Sequence, residues 1–302
     1  MLFTIAIPTY NNQATIRKAV LSALNQDFDD DFEVLVVNNK STDKTKQILK
    51  SIKNDKLRII HNKRNVTMYA NHNICLREAK GDYILFCHSD DILLKKALSV
   101  LKQKISERDY PSKYVVWGHS LFRDYFKVLI EFGWNINERI VGEFSPYIFV
   151  QRGLTPSGTC YSRESFVQYG GFFELKHRLQ PSDSISMINI AFNGFIFEMI
   201  DDMYFERRNA STLSNVKDKE RFDSFDEVGD LVISLYNDQI INELLFAKGK
   251  SIFSYYTYTL SRFRRYKILL LKSCILILFK NPYIVFNSMY RRTLLRIIFS
   301  WK

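Results

Sequence analysis

Short apolar runs alternate with longer amphipathic segments along the first part of the chain. The apolar runs predict β-strands at residues 3–7, 32–37, 57–61 and 83–87. The segments between them predict helices at about residues 15–25, 44–52 and 68–79. Strands that alternate with helices in this order favour an α/β fold, with a Rossmann-like, mostly parallel sheet flanked by helices.

The fourth predicted strand ends in four polar residues, His88, Ser89, Asp90 and Asp91. Residues 83–87 carry no charge, which is typical of a strand buried on both faces. The carboxylates of Asp90 and Asp91 follow this strand and therefore lie at its carboxyl end. Open α/β sheets bind ligands at this edge, and paired carboxylates suit a divalent cation that holds phosphates. Alternatively, Ser89, Asp90 and Asp91 cap a helix that begins near Ile92.

The composition is that of a globular protein, because 46% of the 302 residues are hydrophobic and 25% are charged. The formal net charge of +11 is located in the tail. No acidic residue follows Glu243, whereas twelve basic residues lie between Lys248 and Lys302.

The four cysteines lie far apart and lack metal-ligand spacing; they are Cys75, Cys87, Cys160 and Cys274. We expect them to be free thiols in a reducing compartment. Since the first residues do not form a signal-peptide pattern, we expect a cytoplasmic protein.

Aromatic, aliphatic and basic residues alternate in residues 248–302, which we call the basic tail. Pro282 separates two predicted helical segments, and the apolar stretch before it is too short to span a bilayer. Such helices fit the surface of an anionic membrane. The alternatives are packing on the rest of the chain or a homo-oligomer interface; nucleic-acid binding is the weakest choice.

Five segments combine apolar strands or turns with polar residues in a characteristic order. They are IAIPTYNN (5–12), VLVVNNKSTDKT (34–45), AKGDYILFCHSDDIL (79–93), GGF (170–172) and RRNASTLS (207–214). In this order they resemble the family 2 glycosyltransferases of the GT-A fold. The resemblance covers about residues 1–215. It implies a catalytic domain with a nucleotide-sugar half at about 1–110 and an acceptor half at about 111–215, followed by a basic, amphipathic helical extension at 216–302.

The resemblance implies an inverting, metal-dependent transferase with Mn²⁺ or Mg²⁺ as cofactor. It moves a sugar from a nucleotide-diphosphate donor, with a UDP-sugar favoured, to a hydroxyl of a glycan or lipid-linked glycan. The resemblance further implies a role in bacterial surface polysaccharide synthesis, such as lipopolysaccharide O-antigen or capsule. In that role, the basic tail contacts the inner face of the cytoplasmic membrane. The competing hypothesis is a non-catalytic nucleotide-sugar-binding or assembly subunit, because acidic positions of the family pattern are replaced.

The resemblance also implies which residues contact the donor. The loop that packs against the nucleoside consists of Pro8, Thr9, Tyr10 and Asn11. Asn38 and Asn39 stand where the family commonly has Asp and recognise base and ribose; an Asx turn is the alternative.

Two further pairs complete the implied donor site. His72 and Asn73 lie in the third predicted helix, with His72 at the position of a nucleotide-facing basic residue. Arg207 or Arg208 clamps a phosphate oxygen, unless the two form a solvated surface pair.

Asp90 matches the second carboxylate of the family's DxD motif, which ligates the metal that bridges the donor phosphates. His88 replaces the first carboxylate, and it is a poorer partner for Mg²⁺. His88 and Asp91 are further candidate ligands, although Asp91 also suits a role in orienting the loop. The resemblance also counts His88, Ser89 and Asp90 among the donor-binding residues.

Asp183 is the candidate catalytic base, because the resemblance places an acidic pair at residues 182 and 183 and Ser182 has replaced the first member. A base must take the proton of the attacking acceptor hydroxyl. Asp183 also suits the cap of a helix predicted at 184–192. Glu174, Asp201 and Asp202 are the rival candidates.

Overall fold

The structure is a computed structural model that describes most of the first part of the chain. The ranges are 2–122, 142–143, 156–174, 186–187, 189–190 and 193–207. In the basic tail it describes 271, 274–275, 278–279, 282–286, 291, 294–295 and 298–299. At 119–122, 142–143, 201–203, 207 and 284 the description is of the backbone alone.

The chain divides into two compact units. The first consists of Met1–Phe144, Leu154–Glu174 and Asn189–Asn215. The second consists of Ser145–Gly153, Leu175–Ile188 and Val216–Lys302. The predicted domain boundaries stay predictions.

The described part of the chain contains one sheet and several helices. The strands are β1 (Phe3–Thr9), β2 (Phe32–Asn38), β3 (Leu57–His61), β4 (Tyr83–Phe86), β5 (Ile92–Leu93), β6 (Tyr114–Phe122), β7 (Gly142–Glu143), β8 (Thr159–Ser162) and β9 (Ile196–Arg207). The α-helices are α1 (Ile16–Leu24), α2 (Thr45–Ser51), α3 (Met68–Glu78), α4 (Ala97–Ser106) and α5 (Arg163–Gln168). A 3₁₀ helix covers Pro282–Phe286.

The first four strands and three helices lie within two residues of their predicted bounds. The hydrophobic pattern explains this agreement. Every residue of β1, β2 and β4 is buried, as expected of central parallel strands. Helix α1 buries Ile16, Ala19, Val20 and Ala23, which lie on one face at helical spacing.

The sheet has the strand order β3-β2-β1-β4-β8-β6-β9-β5, with β7 paired to β9. Strands β3, β2, β1 and β4 are mutually parallel, and Ile5 of β1 lies between Val34 of β2 and Leu85 of β4. Strand β8 then runs antiparallel to β4. The predicted α/β fold is confirmed, and the parallel half of its sheet carries the edge on which the candidate residues lie.

The prediction of a helix near Ile92 is wrong. Ile92 and Leu93 form the short strand β5, which pairs with β9, and helix α4 begins at Ala97. The backbone N–H of Leu94 also donates to the carbonyl of Tyr204 in β9. Hydrogen bonds to β9 therefore hold this segment as a strand. Ser89, Asp90 and Asp91 therefore do not cap a helix at this position.

Two glycines allow close approach between segments. A Cβ on Gly81 would lie 2.4 Å from the backbone nitrogen of Thr4, so only glycine allows β4 to start against β1. Gly158 has φ +78°, and its Cβ would lie 2.2 Å from the ring of Phe205. At both positions, the absence of a side chain allows neighbouring parts of the sheet to pack closely.

The four cysteines are free and buried, as the sequence predicts. Burial raises the pKa of Cys274 to about 11, which keeps it a neutral thiol. Among the helices that the structure describes, we find none with the length and apolarity that a bilayer crossing requires.

Candidate active site

Parallel strands bring the candidate residues to one edge of the sheet. Strand β1 lies between β2 and β4, and the three end at Thr9, Asn38 and Phe86. Because these strands are parallel, the loops that follow them lie side by side. The loop after β1 therefore lies between the polar segment that follows β2 and the residues His88–Asp91.

Hydrogen bonds cross-link the loop after β1 with the loop after β2. The backbone N–H of Asn11 donates to Ser41 Oγ at 2.9 Å, and Asn11 Oδ1 accepts from the N–H of Thr42 at 2.8 Å. Asn11 has φ 52°, a left-handed conformation that asparagine tolerates better than most residues. The carboxylate of Asp43 accepts from the N–H groups of Gln13 and Thr45. These bonds give both loops a defined shape.

Tyr10 stands at the surface of this loop pair, with 47% of its area exposed. Pro8 and Thr9 are buried at the end of β1. An exposed aromatic ring over a shaped loop suits stacking on a base, and contact of these residues with a nucleoside stays a prediction.

Asn38 and Asn39 are buried and hydrogen bonded. Asn38 Oδ1 accepts from the N–H and hydroxyl of Ser41, three residues later, and Asn38 Nδ2 lies 3.1 Å from His61 Nδ1. Asn39 bonds through both amide atoms to the backbone of Val66. For Asn38 and Asn39, both the Asx turn and donor recognition stay predictions.

A tight turn places His88, Asp90 and Asp91 together. The N–H of Asp91 donates to the carbonyl of His88 at 3.0 Å. Ser157 Oγ accepts from the N–H of His88 at 2.9 Å and donates to Asp91 Oδ2 at 2.6 Å. Ser157 is fully buried just before β8. The turn is therefore held from outside by a neighbouring segment.

One ligand atom each of His88, Asp90 and Asp91 lies within 4.8 Å of the others, and we call these three the cation cluster. His88 and Asp90 are half-buried and Asp91 is buried. Two carboxylates and an imidazole at this spacing fit a divalent cation, because these are common protein ligands for such ions. Burial, and then the charges of Asp91 and Asp90, raise the pKa of the neighbouring Cys87 thiol.

His72 reaches the cation cluster only through His88. Its Nε2 lies 3.2 Å from Nε2 of His88, and its ring stacks on Phe86. Burial, and then the neighbouring His88, lower the pKa of His72 to about 3, whereas a hydrogen bond with Met68 opposes the shift. The ring is thus neutral at physiological pH, and contact of His72 with the nucleotide stays a prediction.

Asn73 anchors the GGF turn on α3. Its Oδ1 accepts from the N–H of Phe172 at 2.8 Å, and its Nδ2 donates to the carbonyl of Phe172 and to Glu174 Oε1. This is a structural role, and contact with the donor stays a prediction for Asn73. Glu174, a rival catalytic base, lies beside the same amide.

Several predicted residues lie outside the described part of the chain. Asp183 and Arg208 are among them, and so are the side chains of Arg207, Asp201 and Asp202. The backbone of Arg207 ends β9, opposite Phe122 of β6. The roles of these five residues stay predictions.

The sequence missed the part played by Ser157. The segment that contains it was assigned to the acceptor side, and nothing in its local pattern links it to Asp91. The link depends on β8 pairing with β4, which carries Ser157 to the end of β4.

Comparisons with known proteins identify relatives of this chain. A sequence model of the Glycosyl transferase family 2 matches residues 4–164. The GalNAc(5)-diNAcBac-PP-undecaprenol beta-1,3-glucosyltransferase of Campylobacter jejuni is 36% identical over 107 residues, which cover 34% of each protein. The poly(ribitol-phosphate) beta-N-acetylglucosaminyltransferase TarS of Staphylococcus aureus Mu50 is 29% identical over 171 residues, which cover 54% of this chain and 30% of TarS. The chain thus spans about a third of the length of these relatives.

Solved structures share the fold. S. aureus TarS 1-349 in complex with UDP-GlcNAc matches with a TM-score of 0.63 and 20% identity, covering 96% of this chain and 90% of that one. The mannosyltransferase PcManGT of Pyrobaculum calidifontis, in complex with GDP-Man and Mn²⁺, matches with a TM-score of 0.54 and 16% identity, covering 99% and 88%. These likenesses show a GT-A fold. Since the family match extends over more than half of the chain, this chain belongs to the Glycosyl transferase family 2.

Proposed function

We propose that this chain is an inverting, cation-dependent glycosyltransferase that moves a sugar from a UDP-sugar to a hydroxyl of a glycan or lipid-linked glycan. The observation that carries the proposal is the cation cluster of His88, Asp90 and Asp91, beside the shaped loops after β1 and β2. A nucleotide diphosphate needs a base-binding surface and a positive centre for its phosphates. The loops would provide the surface, and a divalent cation held by the cluster would provide the positive centre beside it.

The chain's own residues have distinct roles in this proposal. The loop at Tyr10 and Asn11 contacts the nucleoside, and the cation cluster holds a divalent cation. Such a cation, when bound, offsets the negative charge that grows on the departing diphosphate. Asp183 takes the proton of the acceptor hydroxyl as its oxygen attacks the anomeric carbon from the face opposite the leaving group. Arg207 or Arg208 binds a phosphate oxygen.

The relatives support the choice of donor and acceptor. The TarS structure that shares this fold contains UDP-GlcNAc, and the Campylobacter relative is named for a lipid-linked glycan acceptor. Both are bacterial transferases that are named for a lipid-linked glycan or a polyol-phosphate polymer as acceptor. We therefore infer a role in bacterial surface polysaccharide synthesis, such as O-antigen or capsule.

The first test is nucleotide binding by the full chain. Thermal unfolding is followed with UDP, GDP, dTDP and CMP, each with Mn²⁺ or with EDTA. We expect UDP with Mn²⁺ to raise the melting temperature by a few degrees, since ligand at 100 times its Kd adds about 2.7 kcal/mol. Asp90→Ala should lose this rise. The matched control Asp82→Ala, an exposed carboxylate just before the same strand, should keep it.

The second test separates an enzyme from a binding subunit. With UDP-sugars and lipid-linked acceptor extracts, we expect turnover that Asp183→Asn abolishes while UDP binding persists. UDP binding without turnover by any donor and acceptor would favour the non-catalytic subunit. The supporting observation for it is the replacement of acidic positions by Asn38 and Asn39, by His88 and by Ser182. No binding of any nucleotide would contradict both functions.

We also propose that the basic tail contacts an anionic membrane at the inner face of the cytoplasmic membrane. The exposed fractions of Phe279, Tyr283, Phe286 and Phe299 are 82%, 79%, 76% and 75%. Exposed aromatic rings among twelve basic residues suit insertion at the headgroup level, where each basic side chain contributes about 1 kcal/mol.

Vesicle cosedimentation tests this contact. We expect the full chain to bind phosphatidylglycerol vesicles and to bind phosphatidylcholine vesicles only weakly. The double variant Phe279→Ser with Phe286→Ser should lose binding to the phosphatidylglycerol vesicles. Tyr110→Ser is the matched control, because Tyr110 is exposed but lies before β6 in the first unit. A stable oligomer in light scattering that the double variant dissociates, without vesicle binding by the parent chain, would favour an oligomer interface.

A further inference from the structure

The rings of His72 and His88 meet edge to face, and the contact defines where their protons lie. The two Nε2 atoms are 3.2 Å apart, and the ring planes make an angle of 85°. A hydrogen bond between two nitrogens needs one donor and one acceptor. The question is which of the two imidazoles carries the proton on Nε2.

The other nitrogen of His72 answers part of this question. His72 Nδ1 lies 2.8 Å from the carbonyl oxygen of Met68, one turn earlier in α3. A carbonyl oxygen can only accept, so Nδ1 of His72 carries a proton. A neutral His72 therefore has a bare Nε2, which can accept a hydrogen bond.

The surroundings of His72 keep it neutral. Its ring is 2% exposed and packs against the aromatic rings of Tyr69, Phe86 and Phe172. An imidazolium among these rings would lose its hydration without gaining an opposite charge in contact with it. His72 Nε2 thus accepts, and Nε2 of His88 is the donor.

We propose that His72 is a positioning residue that holds His88 in the Nε2–H tautomer, so that His88 presents the bare Nδ1 to a divalent cation together with Asp90 and Asp91. This inference rests on the proposed function and deepens it. The hydrogen bond of the second nitrogen commonly sets the tautomer of a metal-binding histidine; here the acceptor is another histidine from a buried helix.

The proposal predicts which cations the site selects. Mg²⁺ demands oxygen ligands and is reluctant to accept imidazole, whereas first-row transition ions accept nitrogen and oxygen together. A cluster of one imidazole and two carboxylates therefore prefers Mn²⁺ over Mg²⁺. His88→Asp restores an all-oxygen cluster and should shift the preference towards Mg²⁺.

The tautomers can be read directly in the unmodified protein without a cation. Long-range ¹H–¹⁵N correlation spectra of the histidine-labelled full chain distinguish Nδ1–H from Nε2–H rings. We expect a proton on Nδ1 alone for His72, and a proton on Nε2 for His88. A His72 ring with a proton on Nε2, or a His88 ring with none on Nε2, overturns the proposal whatever the chain's activity.

Variants of His72 test its effect on the cation. In the presence of UDP, we expect His72→Phe to weaken Mn²⁺ binding about tenfold or more, the range for lost outer partners of metal ligands. The ¹⁴N coupling of His88 in the pulsed electron paramagnetic resonance spectrum of Mn²⁺ should weaken as well. His72→Gln should recover both, because its amide oxygen can accept from His88. Phe172→Leu, which alters the packing around His72 and keeps its hydrogen bonds, is the control.

The outcomes separate the inference from the proposed function. If UDP and Mn²⁺ bind but the ¹⁴N coupling is absent, or His72→Phe and Phe172→Leu behave alike, the positioning role is wrong and the proposed function stands. Couplings from two imidazoles would make His72 a ligand and also overturn the role. If the chain binds neither UDP nor a cation, the proposed function fails, while the two tautomers still decide the hydrogen bond proposed here.

Discussion

The hydroxyl of Ser157 donates to the carboxylate of Asp91 at 2.6 Å, across sixty-six positions of the sequence. The same oxygen accepts from the backbone N–H of His88 at 2.9 Å. One buried side chain thus holds both ends of the turn that presents the cation cluster. The geometry of this turn therefore depends on a segment that lies 66 residues later in the sequence.

Ser157→Ala should destabilise the protein and weaken cation binding. The variant leaves the buried carboxylate of Asp91 and the N–H of His88 without this partner, which costs about 1–3 kcal/mol. The cation cluster then loses its preset shape, and we expect about tenfold weaker Mn²⁺ binding in the presence of UDP. Urea unfolding and titration calorimetry measure the two effects.

The control for this variant is Ser99→Ala. Ser99 is exposed, and its hydroxyl donates to the carbonyl of Asp27 at 2.6 Å, so the same atoms are removed at the surface of helix α4. Its loss should leave Mn²⁺ binding unchanged. Equal effects of the two substitutions on cation affinity would contradict the role given to Ser157.

Gly171→Ala should be more destabilising than Gly170→Ala. Both glycines have positive φ, at +64° and +94°, so each alanine costs about 1–2 kcal/mol of backbone strain. A Cβ on Gly171 would also lie 2.7 Å from Asn73 Oδ1, whereas a Cβ on Gly170 meets nothing within 4 Å. The difference between the two variants in free energy of unfolding therefore measures the anchoring contact of the GGF turn.

A double variant tests the same contact from the other side. In Asn73→Ala with Gly171→Ala, the clash with Asn73 Oδ1 is absent, so the double variant should lose less stability than the two single variants together. Additive costs would mean that the amide of Asn73 moves away freely.

Acid should destabilise the protein through Glu33. Burial raises the pKa of this carboxyl, but hydrogen bonds from Arg58, Lys80 and Thr4 outweigh burial and lower it below the ordinary 4.5. The unfolded chain therefore takes up this proton first as pH falls. The stability that Glu33 contributes is present above about pH 4.5 and is lost as pH falls through the lowered pKa.

Glu33→Gln should thus unfold more easily at pH 7 and show a smaller change in free energy of unfolding between pH 7 and pH 3. The comparison uses urea unfolding at each pH, with the exposed Glu164→Gln as the control. An unchanged acid dependence in Glu33→Gln would show that other carboxyls dominate.

Thr67→Ala should destabilise helix α3 by about 1 kcal/mol. Thr67 is the N-cap residue, and its hydroxyl accepts from the N–H of Ala70 at 3.2 Å. Thr67→Ser keeps this oxygen and serves as the control in thermal unfolding. A loss of stability in the serine variant equal to that in the alanine variant would mean that the methyl group, not the cap, is responsible.

The local pattern of hydrophobic and polar residues was sufficient to predict the parallel half of the sheet. A strand buried on both faces must be apolar along its length, and a helix on its surface must be apolar on one face, so β1, β2, β4 and α1 could be predicted from spacing alone. The same pattern places Asp90 and Asp91 at the carboxyl edge. Ile92 and Leu93 were misassigned, because two apolar residues suit a helix or a strand until β9 supplies hydrogen-bond partners.

The sequence by itself thus determined the family, the fold class and the edge that carries the cation cluster. Only the tertiary structure decided how the polar groups at that edge are held. Ser157 meets Asp91 because β8 pairs antiparallel to β4, and His72 meets His88 because α3 packs its buried face against the end of that strand. Such contacts join residues far apart in the chain, and they form only where packing of the core brings the elements together.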